Sequence, residues 1–334
     1  MRIGINGFGR IGRQVFRMAF DRDDIEVVHI NDLYPAEMAA HLIEFDSTYG
    51  RFPHEIHGEG DLLDVDGKQF SYSQHSDPSQ IPWGDKGVDV VLEATGVFLE
   101  RDDAAKHAKG GAKKVLVSAP GKDKLDGDFV IGVNADQFDP EKHHIISIGS
   151  CTTNCLAPVA KVLNEELGIE YGLMNTIHAF TATQQLLDSA SDPKHLRRTR
   201  AAADNLIPTT TGAAKAISLI MPELEGRMDG MAVRAPIKCG SLLDLTVLLG
   251  KDTDADSIND AMRRWASGPM EGVLHVEDKP IVSSDIVGSS YSSIFSPQDT
   301  KVQGTRLAKV LSWYDNEWGF SSRCLDMMAR MTST

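Results

Sequence analysis

The first thirty or so residues constrain the fold more than any other part of the chain. Residues 2–6 read as an apolar strand that runs straight into Gly7-Phe8-Gly9-Arg10-Ile11-Gly12, and a helix is predicted over residues 10–22. A second strand spans residues 26–31 and ends at Asp32, about 20 residues beyond Gly12, the spacing of a dinucleotide fingerprint. Glycines permit the tight turn and let a pyrophosphate approach the helix N-terminus, where unpaired N–H groups favour an anion. The Asp32 carboxylate suits a ribose 2′-hydroxyl and repels a 2′-phosphate, so NAD is expected rather than NADP.

Further strands are predicted at residues 88–92, 114–118, 129–133 and 144–148, with a helix at 101–109 ended by Gly110-Gly111 and a polar loop at 71–80. Strands alternating with helices imply a parallel sheet. Beyond residue 149 the texture changes. A long helix is expected over residues 152–167, kinked or late to start because Pro158 lies inside it. Strand-like runs follow at 172–180, 231–237, 242–249 and 307–314, with a helix at 213–220. The fold class is therefore α/β: a Rossmann-type domain over residues 1–149 with a parallel sheet, then an α+β domain from residue 150.

Composition narrows the function. With 48 acidic against 34 basic side chains the formal charge is −14, which argues against a surface built for nucleic acid. No apolar run is long enough to span a membrane, and the N-terminus lacks the order of a signal peptide, so a cytoplasmic protein without membrane partners is expected. Four cysteines, Cys151, Cys155, Cys239 and Cys324, are too few for a disulfide framework and do not form a zinc pattern. No metal is expected.

Cys151, in Gly149-Ser150-Cys151-Thr152-Thr153-Asn154, falls between a strand and a helix. A helix N-terminus with a neighbouring imidazolium lowers a thiol pKa, which would make Cys151 a thiolate nucleophile; the competing reading is a small buried apolar side chain. Cys155, Cys239 and Cys324 are read as structural. His178 follows a strand-like run and is a candidate base, although spacing alone does not set it beside Cys151. Cations concentrate in Lys194-His195-Leu196-Arg197-Arg198-Thr199-Arg200, and Arg234 sits in an apolar strand where burial demands an anionic partner or an ion pair. Thr211-Gly212 opens a helix and offers a second anion-binding terminus.

Taken together, residues 6–12, Ser150-Cys151-Thr152-Thr153-Asn154, His178 with Thr181-Ala182-Thr183-Gln184, Arg197-Arg198, Thr211-Gly212-Ala213-Ala214-Lys215-Ala216, Val233-Arg234 and Trp313-Tyr314-Asp315-Asn316-Glu317-Trp318-Gly319 resemble the phosphorylating glyceraldehyde-3-phosphate dehydrogenase family, over essentially the whole chain. The resemblance implies oxidation of glyceraldehyde 3-phosphate with NAD and inorganic phosphate, Cys151 carrying a thiohemiacetal and then a thioester and His178 acting as base. It implies substrate and phosphate contacts at Ser150, Thr152, Thr181, Arg198, Thr211, Gly212 and Arg234. It also implies cofactor contacts at Gly7, Gly9, Arg10, Ile11, Gly12, Asp32, Thr95, Gly96, Ser118 and Asn316. Residues 150–316 would form the catalytic domain with a mostly antiparallel sheet, a helix at 317–334 would return to the first domain, and the protein would be a homotetramer. The resemblance leaves open whether Arg197 or Arg198 reaches phosphate, since residues 188–196 carry two more than the commoner bacterial pattern. Two alternatives remain: erythrose-4-phosphate dehydrogenase, and a non-catalytic nucleotide-sensing regulator on the same fold. Thr181 and Thr211-Gly212-Ala213-Ala214-Lys215 argue against the first, and the intact cysteine and histidine against the second.

Overall fold

The computed structural model describes residues 1–333. The chain divides into two compact units: one comprises Met1–Ile131, Ala135–Ser150 and the segment from Ser321 onward, the other Gly132–Asn134 and Cys151–Phe320.

The first unit carries a nine-stranded sheet. Its strands are β1 (Arg2–Asn6), β2 (Glu26–Asn31), β3 (Ile56–Glu59), β4 (Leu62–Val65), β5 (Lys68–Ser73), β6 (Val90–Glu93), β7 (Lys114–Val117), β8 (Gly127–Asp128) and β9 (Ile145–Ser147), in the order β3-β4-β5-β2-β1-β6-β7-β9-β8. Pairing is parallel from β5 through β2, β1, β6, β7 and β9 to β8, and antiparallel only in the β3-β4-β5 meander. Central β1 is buried on both faces, as a covered parallel strand must be: Ile3 and Ile5 have no exposed surface. Gly4 between them is required by packing, because a Cβ there would lie 2.4 Å from the Trp83 ring. Helices α1 (Arg10–Phe20), α2 (Ala36–Glu44), α3 (Arg101–Ala104) and α4 (Lys106–Lys109) complete this unit.

Three local expectations differ from what forms. The polar stretch at 71–80 begins as a strand, because Phe70 and Tyr72 alternate inward and their burial outweighs the polar residues between them. The strand expected at 129–133 is absent: pairing occurs at Gly127–Asp128, and the chain then turns through Gly132 at φ +80°. The helix expected at 101–109 is interrupted at Ala105 and forms two short pieces.

In the second unit α5 (Cys151–Leu167) continues through Pro158 as one helix. Strands β10 (Ile169–Ala179), β11 (Ile207–Thr210), β12 (Met228–Ala235), β13 (Ser241–Leu249), β14 (Leu274–Val276), β15 (Ser293–Gln303) and β16 (Leu307–Tyr314) form a sheet ordered β11-β12-β10-β13-β16-β15-β14. It is antiparallel except between β10 and β12 and between β14 and β15. Helices α6 (Ala213–Ile220) and α7 (Ala255–Ala266) belong to this unit, and α8 (Trp318–Thr332) begins in it and passes into the first unit at Ser321. Among the described residues, no helix is long and apolar enough to cross a membrane and no cluster of His, Cys, Asp and Glu could hold a metal ion.

One buried side chain makes the first unit sensitive to acid. His29, on β2, lies with Nδ1 2.7 Å from Ser71 Oγ and Nε2 2.8 Å from Ser73 Oγ, and burial, aided by Lys86 and His75, lowers its pKa from 6.5 to about 4. The unfolded chain binds a proton at His29 between these values and the folded chain does not, so stability falls as pH drops from about 6.5 to about 4. The urea stability of His29→Gln should therefore fall less than that of the wild type over this range, by up to about 3 kcal/mol. Parallel pH profiles would remove His29 as the cause.

Candidate functional site

The predicted cofactor residues of the first unit gather at the C-terminal ends of β1, β2, β6 and β7, where open parallel sheets bind ligands. β1 ends at Asn6, and Gly7 follows at φ +93°, a backbone conformation that favours glycine. A Cβ on Gly7 would lie 2.6 Å from Thr95 N, and one on Gly12 would lie 2.2 Å from Gly7 O, so these two glycines close the turn against its neighbours. Gly9 is different: it is exposed and nothing lies within 4 Å of where its Cβ would be, which leaves open space at the start of α1. That combination fits a pyrophosphate. Arg10 and Ile11 are half-buried in the first turn of α1, and Arg10 Nη1 pairs with the buried Asp46 carboxylate at 2.5 Å. Asp32 accepts from Phe8 N through Oδ2 and from Leu33 N through Oδ1 at 2.6 Å, which pins the end of β2 to the glycine turn. Thr95 and Gly96 form an exposed turn after β6, and Ser118 donates from N and Oγ to the Glu93 carbonyl.

In the second unit Cys151 is the first residue of α5, at a helix N-terminus where backbone N–H groups have no intrahelical acceptor. His178 lies near the end of β10, and the parallel register of β10 with β12 sets it opposite Arg234. Cys151 Sγ is 3.4 Å from His178 Nε2. His178 Nδ1 is 2.7 Å from the Ala179 carbonyl oxygen, and Nε2 is the ring nitrogen that faces the sulfur. Arg234 Nη1 donates to the same carbonyl at 2.9 Å and lies 2.6 Å from Nδ1. Burial first, and this guanidinium second, lower the His178 pKa from 6.5 to about 3, so the ring is neutral at pH 7.

The surroundings of the thiol pull in opposite directions. Burial raises the Cys151 pKa above its ordinary value, and the opposing pull of Arg234 and of the Thr152 backbone and hydroxyl does not cancel it. Burial thus acts on both partners in the same sense, favouring the neutral thiol and the neutral imidazole. The other cysteines are buried and free: Cys155 is pushed up to about 12 by burial and Cys239 donates to Asp315 Oδ1 at 3.1 Å.

The remaining predicted residues have partners of their own. The Thr152 hydroxyl is buried and meets Tyr314 OH at 2.9 Å, which leaves the Thr152 backbone, not its side chain, toward a ligand. Asn316 Oδ1 accepts from Ser241 Oγ at 2.8 Å, and Ser241 Oγ accepts from Ala179 N, tying Asn316 to the residue behind His178. Arg198 donates from Nε to Thr209 Oγ1 at 2.9 Å, and it repels Arg234 electrostatically. Arg234 Nε is buried without a hydrogen-bond partner. Thr181 Oγ1 lies 2.9 Å from Thr183 Oγ1, and Thr211 Oγ1 accepts from Ala213 N at the start of α6, beside the exposed Gly212. Ser150 ends the Ala135–Ser150 segment of the first unit.

Sequence reasoning gave no role to Tyr314 beyond its place in a motif. Its hydroxyl bridges Thr152 Oγ1 and Thr176 Oγ1, and its ring packs edge-on to His178 with centroids 5.9 Å apart. Tyr314 ends β16, an interior strand, and its role shows only once the β13-β16 register is known.

The raised thiol predicts the pH dependence of alkylation. In the absence of cofactor, the rate of Cys151 reaction with iodoacetamide should still be rising at about pH 8.5, the ordinary thiol value. Arg234→Met should slow it at fixed pH, because the cation opposing the upward shift is gone. A plateau below neutrality would mean a stabilised thiolate.

Two family models match in order: the glyceraldehyde 3-phosphate dehydrogenase NAD binding domain over residues 1–101 and the corresponding C-terminal domain over residues 150–316. The chain is 49% identical over 333 residues to glyceraldehyde-3-phosphate dehydrogenase of Geobacillus stearothermophilus, covering 100% of this chain and 98% of that protein. It is 50% identical over 329 residues to the enzyme of that name in Streptomyces coelicolor, covering 98% and 97%. It is 47% identical over 329 residues to glyceraldehyde-3-phosphate dehydrogenase 1 of Bacillus subtilis, with the same coverage. The chain therefore belongs to the glyceraldehyde-3-phosphate dehydrogenase family, with NAD as its cofactor.

Proposed function

We propose that this glycolytic oxidoreductase converts D-glyceraldehyde 3-phosphate, NAD and inorganic phosphate to 1,3-bisphosphoglycerate, with Cys151 as nucleophile and His178 as base. The observation that carries the proposal is the 3.4 Å approach of Cys151 Sγ to Nε2 of a neutral His178, beside an arginine with a buried unpartnered Nε. As Sγ attacks the aldehyde carbon, His178 Nε2 takes the thiol proton and returns it to the developing oxyanion, giving a thiohemiacetal. His178 then removes the hydroxyl proton as the carbon loses hydride, and a Cys151 thioester results. Bound NAD supplies the hydride acceptor. Phosphate attacks the thioester carbonyl, the C–S bond breaks, and the thiol is restored. The Cys151 backbone N–H at the start of α5 stabilises the oxyanion in both halves.

Arg234 and Thr181 are assigned to the substrate phosphate. Arg198, Ser150, Thr211, Gly212 and the Thr152 backbone are assigned to the attacking phosphate. Arg198 rather than Arg197 is chosen because its hydrogen bond to Thr209 turns it toward β11 and its charge acts on Arg234. Gly7, Gly9, Arg10, Ile11, Gly12, Asp32, Thr95, Gly96 and Ser118 would hold NAD, and Asn316, its oxygen occupied by Ser241, has its amide N–H groups left for a carboxamide. The division at residue 149, with the helix after Asn316 returning to the cofactor domain, is the corresponding domain assignment. Four free cysteines suit the reducing cytoplasm. A homotetramer is proposed because exposed Tyr171, Leu173, Met231 and Leu307 share one face of the second sheet by register, an apolar surface that another subunit would cover.

The test follows NADH formation with glyceraldehyde 3-phosphate or erythrose 4-phosphate, with and without phosphate. Turnover should require the triose and phosphate, and preference for the tetrose, or no turnover, would sink the assignment. His178→Asn should lower kcat by about 10²–10⁴-fold. Arg234→Ala should raise KM for the triose about tenfold or more.

A further inference from the structure

The proposed cofactor residues of the first unit come from four separate segments, and one buried side chain beneath them belongs to none. Glu93 is the last residue of β6, with 1% of its surface exposed, and the parallel register sets it beside Asn6, the residue before the glycine turn. Burying a carboxylate is costly unless every oxygen is met by donors. Here each is. Glu93 Oε1 accepts from Thr95 N at 2.8 Å and from Thr95 Oγ1, and Oε2 accepts from Asn6 Nδ2 at 2.6 Å and from His107 Nε2 at 2.9 Å.

His107 is itself fully buried, and its other nitrogen is 3.0 Å from Trp83 Nε1. An indole N–H only donates, so His107 Nδ1 is the acceptor and the ring proton sits on Nε2, aimed at Glu93. Trp83 thus fixes the tautomer that presents a donor to the carboxylate. On the other side Asn6 Oδ1 accepts from Asn31 Nδ2 at 2.8 Å, which carries the chain to the residue before Asp32. The Glu93 carbonyl accepts from Ser118 N and Oγ. Thr95 Oγ1 accepts from Val97 N at 3.1 Å, and the Thr95 backbone is the surface that Gly7 packs against.

We propose that Glu93 is a positioning residue for the dinucleotide: with His107 and Trp83 behind it, its carboxylate holds the exposed Thr95-Gly96 turn and the Asn6-Gly7 turn in the relative placement that NAD binding needs. The same network reaches the Asp32 and Ser118 segments. Glu93 touches no ligand in this role. An apolar side chain would fill the volume as well but would leave Thr95 and Asn6 without acceptors. The proposal rests on NAD occupying the glycine turn, which wild-type binding measures separately.

The test measures NAD affinity by calorimetry, amide hydrogen exchange at Thr95, Gly96 and Val97, and alkylation of Cys151 without NAD. In Glu93→Gln an NH₂ replaces an oxygen that now only accepts, so the NAD Kd should rise about tenfold or more. Exchange at the three amides should quicken, and Cys151 alkylation should stay at the wild-type rate. If Glu93→Gln does not fold, His107→Leu and His107→Gln decide the matter. Gln offers both a donor to Glu93 and an acceptor to Trp83, so it should restore most of the affinity that Leu loses. An unchanged Kd in Glu93→Gln, a Cys151 alkylation rate that shifts with the Kd, or equal Kd values for the two His107 variants would each overturn the proposal. Wild-type protein that fails to bind NAD would instead overturn the cofactor reading itself.

Discussion

The parallel pairing of β10 with β12 is the constraint on which the catalytic unit depends. In a sheet that is otherwise mostly antiparallel, this pair sets His178 opposite Arg234 with strands running the same way. A one-residue slip would turn either side chain to the other face. With the register held, the guanidinium and the ring converge on the Ala179 carbonyl, and the charge beside the ring adds to burial in keeping the imidazole neutral. A neutral imidazole is what a base must be at pH 7; the register sets its position, and burial, with Arg234 second, sets its neutrality.

The same geometry shapes the nucleophile. A thiol at a helix N-terminus beside a cation is usually thought of as ionised, yet at Cys151 the protein packed around the sulfur outweighs both favourable effects. Arg234 serves two purposes here, biasing His178 and presenting a buried Nε without a partner. In the cofactor unit a buried polar network of Trp83, His107, Glu93, Asn6 and Asn31 plays a comparable supporting part under exposed turns.

Much of this is legible in the amino-acid sequence. The strand, glycine turn, helix, strand and Asp32 of the first unit form as expected, because each depends on local patterns: alternating burial, glycine where φ is positive or space is tight, and a carboxylate closing the turn. The helix at Ala213–Ile220 and the strand at Leu307–Tyr314 have the bounds that their apolar spacing implies. The segments that misled did so for tertiary reasons. Phe70 and Tyr72 make a strand of a polar stretch because a neighbouring strand offers them a core, and residues 129–133 lose their strand because the sheet finds its partner two residues earlier.

The sequence by itself determined that the chain carries a dinucleotide turn and a cysteine at a helix start, since glycine spacing and the strand-to-helix junction are local and steric. It nominated His178, Arg198 and Arg234 only as residues of the right type. The tertiary structure decided that His178 faces Cys151, that Arg234 lies beside both, and that Glu93 underpins the cofactor turns. Those are contacts between residues far apart in the chain, set by strand register and burial, and no local pattern encodes them. The protonation of the pair belongs with them: a pKa answers to the surrounding charge and solvent, and these exist only once the chain has folded.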